Sequence, residues 1–240
     1  MPQRAALVTG GSSGIGLGIA RVLADEGFAL TVSARRPDKL ERAAEELRGL
    51  GGEVLAVPGN VALEEDVANV VARHRKAYGR LDVLVNNAGL GIGGPVDQLQ
   101  TKHLDLQLAV NLRAMVLFYR EAMPLLRAAG SESGALVVNT SSITGKAGTA
   151  MLSVYSATKH GMVGFTQAMN DELREAGIKS CALCPAYVDT ELANYAGNAV
   201  AGEDMIRVED VAEGVRYLLR LSPNCVIPEL LFKRPADSVV

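Results

Sequence analysis

Tyr155 and Lys159 lie four residues apart, a spacing that places both side chains on one face of a helix. A free tyrosine has a pKa of about 10, so it exchanges protons poorly at neutral pH unless a nearby charge stabilises the phenolate. Lys159 would supply that charge. Ser142, from another segment, can hydrogen-bond the same substrate oxygen as the phenol and polarise a carbonyl group. Alternatively, Tyr155 and Lys159 are an ordinary pair on a surface helix.

The composition is typical of one large α/β domain. The chain has 240 residues, of which 48% are hydrophobic and 25 are glycine, which suits a sizeable core with many tight turns. The net charge is -3 and the basic residues are scattered, so no nucleic-acid partner is expected. We expect a single domain over residues 1–240, with a cofactor half over about 1–140 and a catalytic and substrate part over about 141–240.

The cysteines and histidines do not predict a disulfide framework or a metal site. Cys181 and Cys184 have a Cys-x-x-Cys spacing but lie in an apolar run typical of a buried strand. The three histidines are far apart in the sequence and lack ligand spacing. No leader segment is recognisable, and no apolar run approaches the ~18 residues of a membrane span. We expect a soluble cytoplasmic protein without a metal.

A glycine-rich turn follows the first predicted strand, residues 5–9. Its spacing is Gly-x-x-x-Gly-x-Gly, and it leads into a helix, whereas the commoner dinucleotide fingerprint is Gly-x-Gly-x-x-Gly. A helix N-terminus offers unpaired N–H groups, and glycines let a diphosphate approach the backbone. The turn therefore predicts a dinucleotide phosphate site formed by Gly10, Ser12, Ser13, Gly14, Ile15 and Gly16.

Arg35 and Arg36 follow the second predicted strand, residues 29–33. In NAD-binding folds an acidic residue near this position binds the adenosine ribose, whereas an arginine suits a 2′-phosphate. Here there are two arginines and no acid, which favours NADP(H) over NAD(H). The alternative is that both residues simply begin the charged helix over 37–50.

Strands and helices alternate along the rest of the chain. Further strands are predicted at residues 53–57, 81–86, 135–140, 179–184 and 229–232, and further helices at 64–78, 101–129, 153–176 and 208–221. This alternation predicts a doubly wound parallel sheet of seven strands with helices on both faces.

Asn111 interrupts an apolar stripe at helical spacing in the predicted helix 101–129. A buried amide needs hydrogen-bond partners, so a functional role is one explanation and a satisfied core amide is the other.

These motifs, in this order, resemble those of the short-chain dehydrogenase/reductase family over nearly the whole chain, in its NADP-preferring branch. Thr9 and the glycine turn match the cofactor loop of the family, and residues 86–89, Asn-Asn-Ala-Gly, match its sheet-stabilising motif. Its catalytic tetrad is matched by Asn111, Ser142, Tyr155 and Lys159. The resemblance implies a Rossmann-like fold and an NADP(H)-dependent oxidoreductase that interconverts a carbonyl and a secondary alcohol.

The resemblance also implies a role for each residue. Tyr155 would be the acid/base and Ser142 would orient the carbonyl. Lys159 would lower the phenol pKa and bind the nicotinamide ribose, and Asn111 would hold a water in a proton relay. Further cofactor contacts are implied for Arg35 and Arg36, for Asn60 and Val61, for Asn87, Ala88 and Gly89, and for Pro185, Val188 and Thr190.

Two departures from the family pattern bear on the cofactor. Asn60 stands where the family usually has an aspartate against the adenine amino group, although its amide oxygen can still accept a hydrogen bond. Ala186 replaces the glycine that normally follows Pro185.

A small to medium substrate is expected, because the segment over 191–206 that would cover it is short. The predicted pocket walls are residues 91–96, residues 143–152, Tyr187, Tyr195, Met205 and Ile206. By the resemblance, a homodimer or homotetramer would form through the helices at 101–129 and 153–176. Two alternative functions remain, a catalytically silent NADPH-binding regulatory protein and an epimerase or dehydratase.

Overall fold

The computed structural model describes residues 3–191 and 200–237 and contains one parallel sheet of seven strands. The strands are β1 Ala5–Thr9, β2 Ala29–Ala34, β3 Val54–Pro58, β4 Val83–Asn86, β5 Ala135–Thr140, β6 Ile178–Pro185 and β7 Glu229–Phe232. Their spatial order is β3-β2-β1-β4-β5-β6-β7, and every neighbouring pair is parallel. The predicted doubly wound, Rossmann-like sheet is confirmed, and no strand end differs from its prediction by more than two residues.

Helices cover both faces of the sheet. They are α1 Gly14–Asp25, α2 Pro37–Gly49, α3 Glu64–Tyr78, α4 Thr101–Gln107, α5 Ala114–Ser133, α6 Ser153–Glu172 and α7 Val208–Leu219. Successive strand residues point to opposite faces, so Leu7 and Val8 of β1 lie in two different core clusters. The cluster of Val8 is closed by α1, α2 and α7, and that of Leu7 by α3, α5 and α6.

The predicted continuous helix over 101–129 is wrong in one respect. A π-helical turn, Leu108–Arg113, separates α4 from α5 and contains Asn111. A π turn inserts one residue into the helical register, and such insertions are frequent at functional sites. An apolar stripe of average spacing 3.6 does not reveal a single inserted residue, which explains the error.

The segment after β6 returns to the sheet edge through a short backbone pairing. Val188 bridges to Ile206, the N–H of Asp189 donates to the Ile206 carbonyl at 3.0 Å, and the N–H of Ile206 donates to the Tyr187 carbonyl at 2.9 Å. Met205 is buried beside this pairing. Much of the segment predicted to cover the substrate, with Tyr195, lies outside the described residues.

No helix in the described part of the chain is long and apolar enough to cross a membrane.

Candidate active site

The glycine turn after β1 forms a concave backbone surface at the carboxyl edge of the sheet. Gly10 and Gly14 have φ values of +66° and +52°, a region that favours glycine. A Cβ atom built on Gly16 would lie 2.3 Å from the Gly10 carbonyl oxygen, so no larger residue fits there. The glycines of the predicted turn therefore leave an open concave surface, here called the cradle, which larger side chains would block.

The N-terminus of α1 opens into this cradle. Ser13 precedes the helix in an extended conformation, and its side chain makes no capping hydrogen bond. No acidic residue lies in the first turn. The first N–H groups of a helix have no intrahelical acceptor, and the helix dipole favours an anion there. The backbone around Ser12, Ser13, Gly14, Ile15 and Gly16 thus suits a diphosphate.

The residues that follow β4 are tied to the end of β1. The Thr9 hydroxyl accepts hydrogen bonds from the N–H groups of Asn87 at 3.0 Å and Ala88 at 3.1 Å. The Asn87 amide donates to the carbonyls of Thr9 and Gly10 at 3.2 and 3.4 Å. One step along the sheet, Asn86 donates to the Asn139 side chain of β5 at 2.9 Å. These bonds give Asn87, Ala88 and Gly89 a fixed place beside the cradle.

Ser142, Tyr155 and Lys159 meet at the same edge of the sheet. Ser142 follows β5, whereas Tyr155 and Lys159 lie one turn apart near the start of α6. The Ser142 hydroxyl lies near enough to the Tyr155 phenol to lower its pKa, and it donates to the Pro185 carbonyl at 3.5 Å. It also accepts from the N–H of Thr144 at 3.2 Å. Lys159 is only 3% exposed, which excludes the alternative of an ordinary surface pair.

The pKa values at this site are set mainly by burial. Burial raises the pKa of Tyr155 to about 12, against a lowering effect of the Ser142 hydrogen bond. Burial lowers the pKa of Lys159 to about 8. The Lys159 Nζ donates to the Thr140 carbonyl at 2.7 Å and lies 5.5 Å from the centre of the Tyr155 ring. In this structure the pKa of Tyr155 therefore lies above its ordinary value, opposite to the expected lowering by Lys159, because desolvation of the phenol dominates.

Asn111 has a fully hydrogen-bonded side chain. Its Oδ1 accepts from the N–H of Leu90 at 2.9 Å, and its Nδ2 donates to the Leu90 carbonyl at 2.8 Å and to the Thr158 hydroxyl at 3.1 Å. These are the partners that the sequence required for a buried amide.

Gln107 is a site residue that the sequence analysis missed. It is completely buried at the end of α4, and its Oε1 accepts from the N–H of Ile92 at 3.0 Å. The available signal was a second amide side chain, exactly one helical turn before Asn111 in the same apolar stripe. Thr158, which joins Asn111 to α6, was missed as well.

The predicted 2′-phosphate residues lie beyond β2 and differ in their surroundings. Arg35 is exposed and has no ion pair among the described residues. Arg36 pairs with Glu191 at 3.2 Å, and Lys39 of α2 pairs with the same carboxylate. Sequence reasoning had not connected Glu191 with this cationic group.

At the predicted adenine site, the Oδ1 of Asn60 accepts from the N–H of Ala62 at 3.2 Å. The N–H of Asn60 donates to Asp66 at 2.8 Å. The asparagine oxygen is thus already used in a local turn, while the neighbouring Val61 is buried.

The segment that follows β6 brings Thr190 over the cradle. The Thr190 methyl would lie 3.0 Å from a Cβ on Gly14, so Thr190 packs directly over the glycine turn. Val188 is buried, and its carbonyl accepts from the Thr190 hydroxyl at 3.3 Å. Ala186 follows Pro185 without strain at this position, its N–H donating to Phe232 of β7 at 2.9 Å.

A cavity of about 210 Å³ lies between the loop after β4 and the start of α6, and its lining ends at Val154, directly before Tyr155. Gly91 contacts the Tyr155 ring, since its Cβ position lies 3.4 Å from the tyrosine Cδ2. The cavity is lined by residues 92–96, 98–100, His103, Met151, Ser153 and Val154. Residues 92–96 and Met151 belong to the predicted pocket walls.

Comparison with known proteins agrees with this geometry. The family model described as short chain dehydrogenase matches residues 4–200. The uncharacterized oxidoreductase YxjF of Bacillus subtilis is 38% identical over 192 residues, which cover 80% of this chain and 74% of that protein.

Two solved structures are similar over nearly their whole length. An alcohol dehydrogenase from the archaeon Thermococcus sibiricus, complexed with 5-hydroxy-NADP, has a TM-score of 0.90 and 27% identity, with 99% of both chains covered. The actinorhodin polyketide ketoreductase with NADPH, a Phe-to-Trp variant, has a TM-score of 0.86 and 33% identity, with 97% of both chains covered. The protein belongs to the short chain dehydrogenase family of oxidoreductases.

Proposed function

We propose that this protein is an NADP(H)-dependent oxidoreductase that interconverts a carbonyl and a secondary alcohol on a small to medium substrate. The observation that carries the proposal is that Ser142, Tyr155 and Lys159 come together, with the Lys159 Nζ 5.5 Å from the centre of the tyrosine ring and Ser142 near enough to the phenol to lower its pKa. This group stands at the edge of the sheet where the glycine cradle lies.

The protein residues would handle the substrate oxygen and its proton. Ser142 donates a hydrogen bond to the carbonyl oxygen and holds it near the phenol. With a pKa near 12, Tyr155 is protonated at neutral pH and is ready to give its proton to the developing alkoxide. When bound, the nicotinamide would supply or accept the hydride at the substrate carbon.

Lys159 would act through its charge. Its pKa of about 8 leaves the ammonium mostly protonated at neutral pH. Positive charge beside the ring stabilises the phenolate that remains after proton transfer. The ammonium donates to the Thr140 carbonyl at 2.7 Å and to the Met162 Sδ at 3.5 Å, and its remaining N–H can bind a ribose hydroxyl.

The preference for NADP(H) rests on the residues that follow β2. Arg35 is exposed and without an ion pair to any described side chain, so its guanidinium is available for a 2′-phosphate. The two residues that directly follow the strand are arginines, and Glu191 pairs with the second of them, Arg36, and not with Arg35. The two similar solved structures were determined with NADP-type ligands.

The substrate would bind in the cavity of about 210 Å³ near the loop after β4 and would extend from it past Ser153 and Val154 to Tyr155. A cavity of this size suits a small to medium ketone. Similarity to a polyketide ketoreductase supports keto esters and diketones as the first compounds to test. Location in the cytoplasm and assembly into a homodimer or homotetramer remain predictions.

The two alternative functions differ from the proposed one in that neither consumes NADPH. A catalytically silent NADPH-binding protein would bind the cofactor without oxidising it, and the intact group of Ser142, Tyr155 and Lys159 argues against this. An epimerase or dehydratase would convert its substrate without net consumption of NADPH.

The test is a fluorescence titration of the purified protein with NADPH and NADH, followed by carbonyl panels monitored at 340 nm. The panel contains diketones, β-keto esters and short oxo-acids. Oxidation of NADPH with an equal amount of alcohol product is the expected result. Tight binding of NADPH without oxidation by any of these carbonyls would favour the cofactor-sensing alternative and count against the proposal.

A further inference from the structure

Gln107 and Asn111 together hold the loop that carries Gly91. The two amides lie one helical turn apart, and they accept the N–H groups of Ile92 and Leu90, respectively. Asn111 lies in the π turn that begins at Leu108, and the two side chains reach alternate N–H groups of the loop. The two side-chain amide oxygens therefore accept from alternate N–H groups of the loop, as the carbonyls of a neighbouring strand do in a sheet.

Gly91 lies between the two bonded residues and contacts the Tyr155 ring. Its Cβ position is 3.4 Å from the Cδ2 atom and 3.6 Å from the Cε2 atom of Tyr155. A loop held at Leu90 and Ile92 therefore forms a fixed wall against one face of the tyrosine ring. Ser142, which follows β5, and Lys159, on α6 itself, are the other site groups near this tyrosine.

Burying the polar side chain of Gln107 costs free energy, and the hydrogen bond from Ile92 is what offsets that cost. The side chain is fully buried, and its Nε2 has no hydrogen-bond partner among the described residues. The donor at Ile92 fixes which end of the amide faces the loop, because an NH₂ group cannot accept that bond. A buried unpaired donor costs about 1–3 kcal/mol, so leucine or methionine would serve packing better. The polar side chain is explained by the acceptor that it supplies.

We infer that Gln107 is a positioning residue, which fixes the ring of Tyr155 through Ile92 and Gly91. The inference rests on the proposed function, since it assigns Tyr155 as the acid. Asn111 alone holds only one end of the three-residue loop. With both ends held, Gly91 cannot move away from the ring, and the phenol keeps its place beside Ser142.

The first measurement is amide hydrogen exchange in the wild-type protein, which needs no substrate. The Ile92 N–H should exchange at least about a hundredfold more slowly than in an unstructured peptide. Rapid exchange of Ile92 would overturn the inference without any variant. The N–H of Gly94, which donates to the Met151 carbonyl at 2.8 Å, is an internal reference in the same loop.

The second measurement uses Gln107→Met, which keeps the side-chain length but removes the acceptor. Ile92 exchange should accelerate about tenfold or more while Gly94 changes little. The kcat for ketone reduction should fall about tenfold, because a small misplacement of a catalytic group has large effects, while the Kd for NADPH stays within about twofold. Gln167→Leu on the exposed side of α6 is the matched control and should leave both readouts unchanged.

Gln107→Glu retains an oxygen that accepts from Ile92 and should restore slow exchange of that amide and most of the kcat. An unchanged kcat in a Gln107→Met protein whose Ile92 amide has become fast would contradict the inference. A wild-type protein with slow Ile92 exchange that reduces no carbonyl would instead refute the proposed function and leave the loop attachment standing.

Discussion

The Lys159 Nζ lies 5.5 Å from the centre of the Tyr155 ring, and it points to the main-chain carbonyl of Thr140 at 2.7 Å. The charge is thus beside the ring face rather than on the phenol oxygen. Burial, which raises the pKa of Tyr155 to about 12, is the dominant influence on the phenol in this arrangement. Such a phenol is protonated at neutral pH but is a weaker acid than a free tyrosine, so proton donation in carbonyl reduction would depend on stabilisation of the phenolate by a charge such as that of Lys159.

Replacing Tyr155 with phenylalanine should remove turnover and leave the cofactor site intact. Tyr155→Phe keeps the ring that packs against Gly91 but removes the hydroxyl, so kcat should fall by about a hundredfold or more. The Kd for NADPH, measured by fluorescence, should stay within about threefold, because the glycine cradle is untouched. Tyr217→Phe on the exposed face of α7 is the control. Substantial activity in Tyr155→Phe would exclude the proposed acid.

Replacing Arg35 with alanine should weaken the binding of NADPH much more than the binding of NADH. Loss of charge-assisted bonds to a 2′-phosphate should weaken NADPH binding about tenfold or more, and NADH binding about twofold at most. Both affinities are measured at low and high salt, since the NADPH effect should shrink as salt screens the charge. Arg42→Ala, also exposed and on α2, is the control. Equal losses for the two cofactors would remove Arg35 from the phosphate site.

Replacing Gly16 with alanine should damage the cradle itself. The new methyl group would lie 2.3 Å from the Gly10 carbonyl oxygen, so the turn must move. We expect the Kd for NADPH to rise about tenfold or more, together with a lower melting temperature. Gly49→Ala is the matched control, because a Cβ there meets nothing within 4 Å, and it should be neutral or slightly stabilising. Unchanged NADPH binding by Gly16→Ala would contradict the cradle assignment.

His74 should make the protein less stable in mild acid. Its Nε2–H donates to the Arg80 carbonyl at 2.8 Å, so its Nδ1 accepts from the Thr31 hydroxyl at 2.8 Å and the ring is neutral. Burial lowers the pKa of His74 to about 4, with partial opposition from the Arg80 hydrogen bond and the charge of Asp82. In the unfolded chain the pKa is about 6.5, so the unfolded state binds the extra proton between these values.

The stability contributed by neutral His74 is therefore present above pH 6.5 and is lost as the pH falls toward 4. The total is roughly 3 kcal/mol, from 1.36 kcal/mol for each pKa unit. Urea unfolding between pH 4.5 and 7.5 measures it, and His74→Gln should flatten this slope, whereas His160→Gln, at an exposed position, should not. An identical pH dependence in wild type and His74→Gln would reject the assignment.

The local pattern of the sequence was sufficient for most of the fold. Apolar runs bounded by turn residues gave all seven strands within two residues of their observed ends, because parallel strands covered on both faces are continuously hydrophobic. The alternation of strands with helices then predicted the doubly wound sheet. The π turn at Leu108–Arg113 escaped prediction, since one inserted residue hardly changes a periodic pattern.

The sequence by itself determined which residues gather at the carboxyl edge of the sheet, because parallel strands bring the ends of β1, β4, β5 and β6 together. Tertiary structure alone decided what each side chain does there. It engaged Asn111 fully with Leu90 and Thr158, paired Arg36 with Glu191, and placed Gln107 against Ile92. It also set the pKa of Tyr155 and Lys159, because desolvation depends on the atoms packed around a group and not on spacing along the chain.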